Sequence, residues 1–364
     1  MTEESAADRP TIAQRRHLLD MDRAALEDWL MEAGQERYRA AQVLQWVYER
    51  GAITFDVMSN LPKDLRTWLA ERADILRSRI AGESVSRDGT RKLLLAWPDD
   101  QTVETVWIPD GTRHTACLSS QVGCPVGCRF CASGAAGVQR DLTAGEIVEQ
   151  AWRVRALVSA MAEGGGRLSN IVLMGMGEPL ANYDAVVKAV RILNAPWGLG
   201  VGARKITLST VGLPKQIRRL ADEGLQLNLA LSLHAPNERL RRELIPWGKV
   251  PIEELLEACA YYFQRTGREV TLEYVLLADV NMQPEHADQL ARIVRRLRCN
   301  VNLLRYNAVP GLPFARPTAE AAFAFQSRLR ELGVNAHLRK SRGADIEAAC
   351  GQLRRRTSQV ADTQ

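Results

Sequence analysis

The chain has 364 residues, 46% of them apolar and 25% charged, the proportions of an ordinary globular protein rather than a disordered, collagen-like or low-complexity one. No apolar run approaches the ~20 residues that a bilayer-spanning helix needs, so membrane association is not expected. A net charge of +5 and a pI near 8.9 permit a nucleic-acid partner without demanding one.

The start of the chain, Met1 to Pro10, lacks the basic segment and apolar core of a secretory signal, which places the protein in the cytoplasm, where thiols stay reduced. Residues 1–16 carry no periodic apolar pattern and read as a disordered tail. A helical module follows over residues 17–82. Leu26, Trp29, Leu30 and Ala33 share one helical face that ends at Gly34; Val43, Trp46 and Val47 share a second that ends at Gly51; Leu65, Trp68 and Leu69 mark a third. Lys92 to Trp97 and Thr102 to Ile108 then read as strands around the turn signal Pro98-Asp-Asp100, a β-hairpin linking the module to the main domain over residues 83–112.

From residue 113 to 353 short β runs alternate with amphipathic stretches. The runs are Thr115 to Ser119, Asn170 to Met174, Lys205 to Ser209, Gln226 to Ser232, Val270 to Leu276 and Val301 to Tyr306. Between the first two, Thr143 to Val158 opens with the capping-box pair Thr143 and Glu146. Such alternation means parallel βαβ units. Six units suit a partial barrel or an open doubly wound sheet, and either puts the active site at the carboxyl ends of the strands. Residues 354–364 form a basic and polar tail. Arginine clusters at Arg218-Arg219, Arg241-Arg242, Arg339-Lys340 with Arg342, and Arg354-Arg355-Arg356 are candidates for phosphate contact. Arg295-Arg296 with Arg298 reads as the solvated face of a helix.

Seven cysteines, an odd number, argue against a disulfide framework and for metal ligands or catalytic thiols. Three stand just after the first β run as Cys124-Pro-Val-Gly-Cys128-Arg-Phe-Cys131, in a loop with Gly123 and Gly127. Three thiolates suit a zinc ion or an iron–sulfur cluster. A structural zinc site wants a fourth nearby ligand, and no histidine follows within the loop. Cys259 and Cys299 have no partner motif and read as structural.

The triplet, with an aromatic before its last cysteine, resembles the radical S-adenosylmethionine superfamily. Cys117-Leu-Ser-Ser-Gln-Val-Gly-Cys124, Gly175-Met-Gly-Glu-Pro-Leu-Ala-Asn182, Ser232-Leu-His-Ala-Pro-Asn237 and the Arg342 to Leu353 segment narrow the resemblance to the RlmN/Cfr family of RNA adenine methyltransferases, from about Leu18 to Leu353. It implies an α/β fold, a partial (β/α)6 radical-SAM barrel with a small N-terminal helical domain of RNA-binding type and a linking hairpin. It further implies a 4Fe–4S cluster on Cys124, Cys128 and Cys131, two S-adenosylmethionine molecules per turnover, and cofactor contacts at Gly177, Glu178, Ser209, Ser232, Leu233, His234 and Asn307. Cys350 matches the thiol that accepts a methyl group and then bonds to adenine. Cys117 matches the thiol that takes a proton from the adduct and attacks the Cys350 sulfur, leaving a disulfide. Glu104 matches a proton-accepting carboxylate, although spacing alone makes it an exposed strand residue. The implied partners are 23S rRNA, tRNA, and an electron donor such as flavodoxin or ferredoxin, with the protein a monomer.

Ala132-Ser133-Gly134, Arg140-Asp141-Leu142, Pro246-Trp-Gly-Lys249 and Leu304-Arg-Tyr-Asn307 depart from the usual family pattern and bear on the RNA target. The long N-terminal module and the Ala-Cys-Gly-Gln-Leu ending favour carbon 2 of adenine over carbon 8. A zinc-containing, non-catalytic RNA-binding protein is the alternative of another class.

Overall fold

The computed structural model describes residues 15–161, 166–247 and 249–354. Residues 1–14 of the expected tail, and Arg355 and Arg356 with the rest of the basic ending, lie outside them. The N-terminal module holds α1 (Arg23–Glu32), α2 (Tyr38–Tyr48) and α3 (Lys63–Arg72). The Asp22 side chain caps α1 by accepting from the Ala25 N–H at 2.8 Å. Leu26, Trp29, Leu30, Val43, Val47, Leu65 and Leu69 are buried on the expected faces, while Trp46 and Trp68 stay at the rim.

Ten strands form the main sheet, in chain order from one edge to the other. β1 (Arg79–Val85), β2 (Arg91–Ala96), β3 (Thr102–Asp110) and β4 (Arg113–Cys117) make an antiparallel meander. The strands of the expected hairpin are therefore the middle of a meander continuous with the main domain. β5 (Asn170–Leu173), β6 (Ile206–Thr210), β7 (Asn228–Ser232), β8 (Val270–Leu276), β9 (Cys299–Arg305) and β10 (Ala336–Arg339) then continue from β4 in parallel.

The crossovers carry α4 (Ala144–Met161), α5 (Tyr183–Asn194), α6 (Pro214–Asp222), α7 (Glu238–Leu244) with α8 (Ile252–Thr266), α9 (Pro284–Val294) and α10 (Ala319–Glu331). These are six βα units and then a seventh strand, β10, that alternation did not reveal: four residues whose apolar content is Ala336 and Leu338 alone. The capping box forms as expected, with Thr143 N–H donating to Glu146 Oε2 at 2.9 Å and Glu146 N–H to Thr143 Oγ1 at 3.2 Å. No helix of the described residues is long and apolar enough to cross a membrane.

Strand order decides between the two sheet types. A doubly wound sheet reverses direction at a switch point; this one never reverses, so right-handed crossovers put every helix on one face. Burial follows. Ile171, Leu173, Ile206, Leu208, Leu229, Leu231, Leu272, Val301 and Leu303 point to the helices and are fully buried. The alternate residues, among them Asn170, Thr207, Ser209, Ser232 and Asn302, are half-buried on the opposite face, where the sheet curves around a polar hollow. The sheet does not close, because β1 and β10 are both edges.

Gly145, at the start of α4, fixes the module against the barrel. Its N–H donates to Asp20 Oδ1 at 2.7 Å, and a Cβ there would lie 2.5 Å from His17 Nδ1 and 2.8 Å from Asp20 N. Gly145→Ala is expected to cost about 1–3 kcal/mol through overpacking. An unchanged melting temperature would contradict this account of the junction.

Candidate active site

The three-cysteine loop follows the carboxyl end of β4. Cys124, Cys128 and Cys131 are half-buried and pack against an apolar cluster that includes Val126, Phe130, Leu240 and Tyr306. Gly134 lets the loop close on itself, since a Cβ there would sit 2.9 Å from Gly127 Cα. Burial pushes Cys124 up to about 12, with Cys131 and Glu178 adding to it; burial and then Cys131 and Cys124 push Cys128 well above its ordinary range. Thiols that resist ionising singly are ionised together when a cation replaces their protons. Among the described residues no group of three His, Cys, Asp or Glu side chains is gathered for a single metal ion. A tetrahedral zinc with thiolates at ~2.3 Å needs that convergence and a fourth ligand. A cluster offers each cysteine its own iron, so it suits three thiols spread along a loop. The donor set fits 4Fe–4S rather than zinc.

Strand register brings the other expected residues to the hollow. Cys117 on β4 faces Val106 of β3, and Val106 faces Lys92 of β2, so Glu104, two residues before Val106, shares their face. Glu104 corrects the reading from spacing: it is 1% exposed, because the inner face of β3 is covered by the C-terminal segment. One carboxylate oxygen pairs with Lys92 Nζ at 2.9 Å, and the other accepts the Arg354 N–H at 2.9 Å. Lys92 also donates to the Glu347 carbonyl at 3.1 Å.

The same segment, which holds Cys350, is fastened on every side. Ser86 donates to Asp345, Gly343 N–H to Asp88, Ala132 N–H to the Gly351 carbonyl at 2.8 Å, and Gln352 Nε2 to the Ala308 carbonyl at 3.0 Å. Cys350 is exposed on the hollow side while Cys117 is buried. The packed surroundings push the Cys350 thiol up to about 12, with Glu273 and Cys131 adding to the effect and Arg339 opposing it. Burial also raises Cys117, and Cys350 is close enough to raise it further. All seven cysteines are free, so the disulfide implied between Cys117 and Cys350 is not present in this state. A Cys350 that is to act as a nucleophile has to start reduced.

The expected cofactor contacts lie at successive strand ends. Gly177 has φ of 107°, and a Cβ there would lie 2.6 Å from Ser120 Oγ. Glu178, 2% exposed, accepts from the Leu180 and Val211 N–H groups at 3.0 and 2.9 Å; burial lifts it to about 7. A carboxylate has about four lone-pair sites, so it can still take an ammonium proton. Ser209 and Ser232 hydroxyls lie 3.1 Å apart, and Leu233 is fully buried. His234, with φ of 58°, accepts the Val275 N–H on Nδ1 at 3.1 Å and meets Phe130 edge-on. Burial, with Arg241 nearby, drops its pKa to about 3, so it is a neutral positioning group rather than an acid or base. Asn307 donates weakly to the Cys350 carbonyl at 3.5 Å and accepts from Arg316 at 3.0 Å.

Arg241 corrects the reading of the arginine clusters. It is fully buried, donates to the Val211 carbonyl and bears on Cys128, so it is not available to phosphate. Arg219 pairs with Asp184 and Arg342 with Asp110. Lys92, Glu273 and Asn302 were missed by motif reasoning. The signal available was a lone polar residue inside an apolar strand, as in Val270-Thr-Leu-Glu-Tyr-Val-Leu276.

A parallel partial barrel with three cysteines in the loop after its first strand defines a radical S-adenosylmethionine enzyme, and residues 118–291 match the family model of that superfamily. Residues 16–75 match the ribosomal RNA large subunit methyltransferase N-terminal domain. The chain is 46% identical over 351 residues to the "Probable dual-specificity RNA methyltransferase RlmN" of Rhodopirellula baltica, covering 96% of this chain and 94% of that one. It is 44% identical over 330 residues to the protein of the same name from Geobacillus kaustophilus, covering 90% of each. A radical SAM methyltransferase of Sphaerobacter thermophilus superposes with a TM-score of 0.90 at 47% identity, over 93% of this chain and 99% of that one. The chain belongs to the RlmN family of radical S-adenosylmethionine methyltransferases, and that membership implies a 4Fe–4S cluster and S-adenosylmethionine.

Proposed function

We propose that this protein methylates carbon 2 of an adenosine in 23S rRNA, and of an adenosine in tRNA, with Cys350 as methyl carrier and Cys117 as resolving thiol. The observation that carries the reading is the nearness of these two thiols at the hollow, beside the cysteine loop. The relatives named as dual-specificity RNA methyltransferases support two RNA classes. When bound, the cluster and S-adenosylmethionine, two molecules per turnover, supply a transferable methyl group and a hydrogen-abstracting radical. Cys124, Cys128 and Cys131 would hold the cluster; Gly177, Glu178, Ser209, Ser232, Leu233, His234 and Asn307 would line the nucleoside and amino-acid ends of the cofactor.

An electron-poor aromatic carbon cannot attack a sulfonium methyl, so a protein thiol has to carry the carbon; a thiolate is nucleophilic enough for that first displacement. Once Cys350 is bridged to adenine, Cys117 removes the proton from the adduct. Its thiolate then attacks the Cys350 sulfur, the disulfide forms and the methylated base leaves. An external dithiol or other reductant must reopen the disulfide. Glu104 is the proton acceptor on this side of the hollow, and any proton it takes must displace the Lys92 or Arg354 contact. A cytoplasmic monomer reduced by flavodoxin or ferredoxin completes the proposal.

The N-terminal helices stack Arg16 on Trp29, Arg39 on Tyr38, Arg50 on Trp46 and Arg72 on Trp68, side chains suited to phosphates and unstacked bases. Affinity for an rRNA fragment is expected to fall steeply between low and moderate salt; a flat response would contradict an electrostatic RNA interface. The test of the reaction is mass spectrometry of digested rRNA and tRNA from cells lacking the protein and from cells with it restored. Restoration of 2-methyladenosine supports the proposal; 8-methyladenosine, or no methylated adenosine, defeats it.

A further inference from the structure

Glu273 on β8 is buried, 6% exposed, and is claimed by no motif. Register places it in a row across the floor of the hollow: Ser232 of β7 on one side, Asn302 of β9 on the other, and His337 of β10 beyond. Asn302 Nδ2 donates to Glu273 Oε1 at 2.9 Å, which leaves Oε2 without a hydrogen bond among the described residues. A carboxylate so placed is costly unless something uses its charge. Of the charged groups that raise the Cys350 thiol, Glu273 acts most strongly.

We propose that Glu273 is the catalytic base that takes the Cys350 proton when that thiol accepts its methyl group. The inference rests on the carrier role proposed above. The step balances without any oxidant or reductant. The S–H bond of Cys350 breaks and its proton goes to Glu273 Oε2; the sulfur electron pair forms the new S–CH3 bond; the methyl–sulfonium bond of S-adenosylmethionine breaks, its pair returning to the departing sulfur as S-adenosylhomocysteine. Asn302 holds the carboxylate in place throughout. Burial raises Glu273 to about 7, which suits a base at neutral pH, and the thiol's own high pKa leaves little thiolate without one.

Anaerobically purified protein, its cluster in place, is treated at neutral pH with limiting iodoacetamide, and Cys350 alkylation is followed by peptide mass spectrometry. The parent, Glu273→Gln and Glu273→Asp proteins are compared. A base predicts slower alkylation in Glu273→Gln, by about a hundredfold, and an intermediate rate in Glu273→Asp, whose carboxylate is one methylene short. A merely electrostatic neighbour gives the opposite sign, because removing its charge lowers the thiol pKa; equal or faster alkylation in either variant overturns the proposal. If Glu273→Gln does not fold, the Glu273→Asp comparison alone decides. A parallel incubation with S-adenosylmethionine and no reductant separates this inference from the carrier reading. A parent Cys350 that gains no methyl group defeats the carrier, whereas a methylated parent with an equally fast Glu273→Gln protein defeats the base alone.

Discussion

Cys350→Ala is expected to abolish RNA methylation, by four orders of magnitude or more, because deleting a nucleophile removes the covalent route itself (losses of about 10⁴ to 10⁶ accompany such deletions). The cluster should survive the change. Cys350 is exposed on the hollow side, held there by hydrogen bonds to neighbouring backbone groups rather than through its own sulfur. Visible absorption and reductive cleavage of S-adenosylmethionine are the controls, and both are expected to match the parent protein. In Cys124→Ala, Cys128→Ala or Cys131→Ala both should disappear together. A Cys350→Ala protein that still methylates RNA would exclude the carrier role.

The second large effect is on stability and centres on Lys92. Lys92→Met keeps the length of the side chain but leaves Glu104, 1% exposed, as a buried carboxylate without its cation. Breaking a buried pair in this way costs about 3–5 kcal/mol. The Glu347 carbonyl also loses its 3.1 Å donor, three residues before Cys350. Lower melting temperature and faster amide exchange over residues 343–353 are the expected readouts. The Lys92→Met, Glu104→Gln double variant should recover part of the loss, since it no longer buries an unpaired charge. A single variant that melts with the parent would show that the pair does not fasten the segment.

Much of this architecture was legible in the sequence, for physical reasons that can be named. The half-buried sheet alternates polar and apolar residues, so β5 to β9 were found from period two, and Thr143 with Glu146 marked the start of α4. β10 escaped because a four-residue edge strand with two apolar positions does not differ from a loop. The cysteine loop was legible because its spacing is rare and its chemistry narrow. Glu104 was misjudged on spacing alone, because the residue that covers it, Arg354, lies 250 positions away in sequence. Arg241 looked like surface charge beside Arg242 because a seven-residue helix gives too little periodicity to tell an inward arginine from an outward one. Glu273 had a signal, a carboxylate in an apolar strand, but its partners Ser232 and Asn302 stand on two other strands and come together only through register.

The two-thiol chemistry is tested most directly with Cys117→Ala, incubated with cluster, reductant, S-adenosylmethionine and an rRNA fragment, then digested with nuclease and protease and read by mass spectrometry. The expected product is a Cys350 peptide joined through one carbon to adenosine, accumulating because no second thiol displaces the Cys350 sulfur, and lost when Cys350→Ala is combined with Cys117→Ala. Normal turnover by Cys117→Ala, or an RNA adduct that persists in the double variant, would contradict the mechanism.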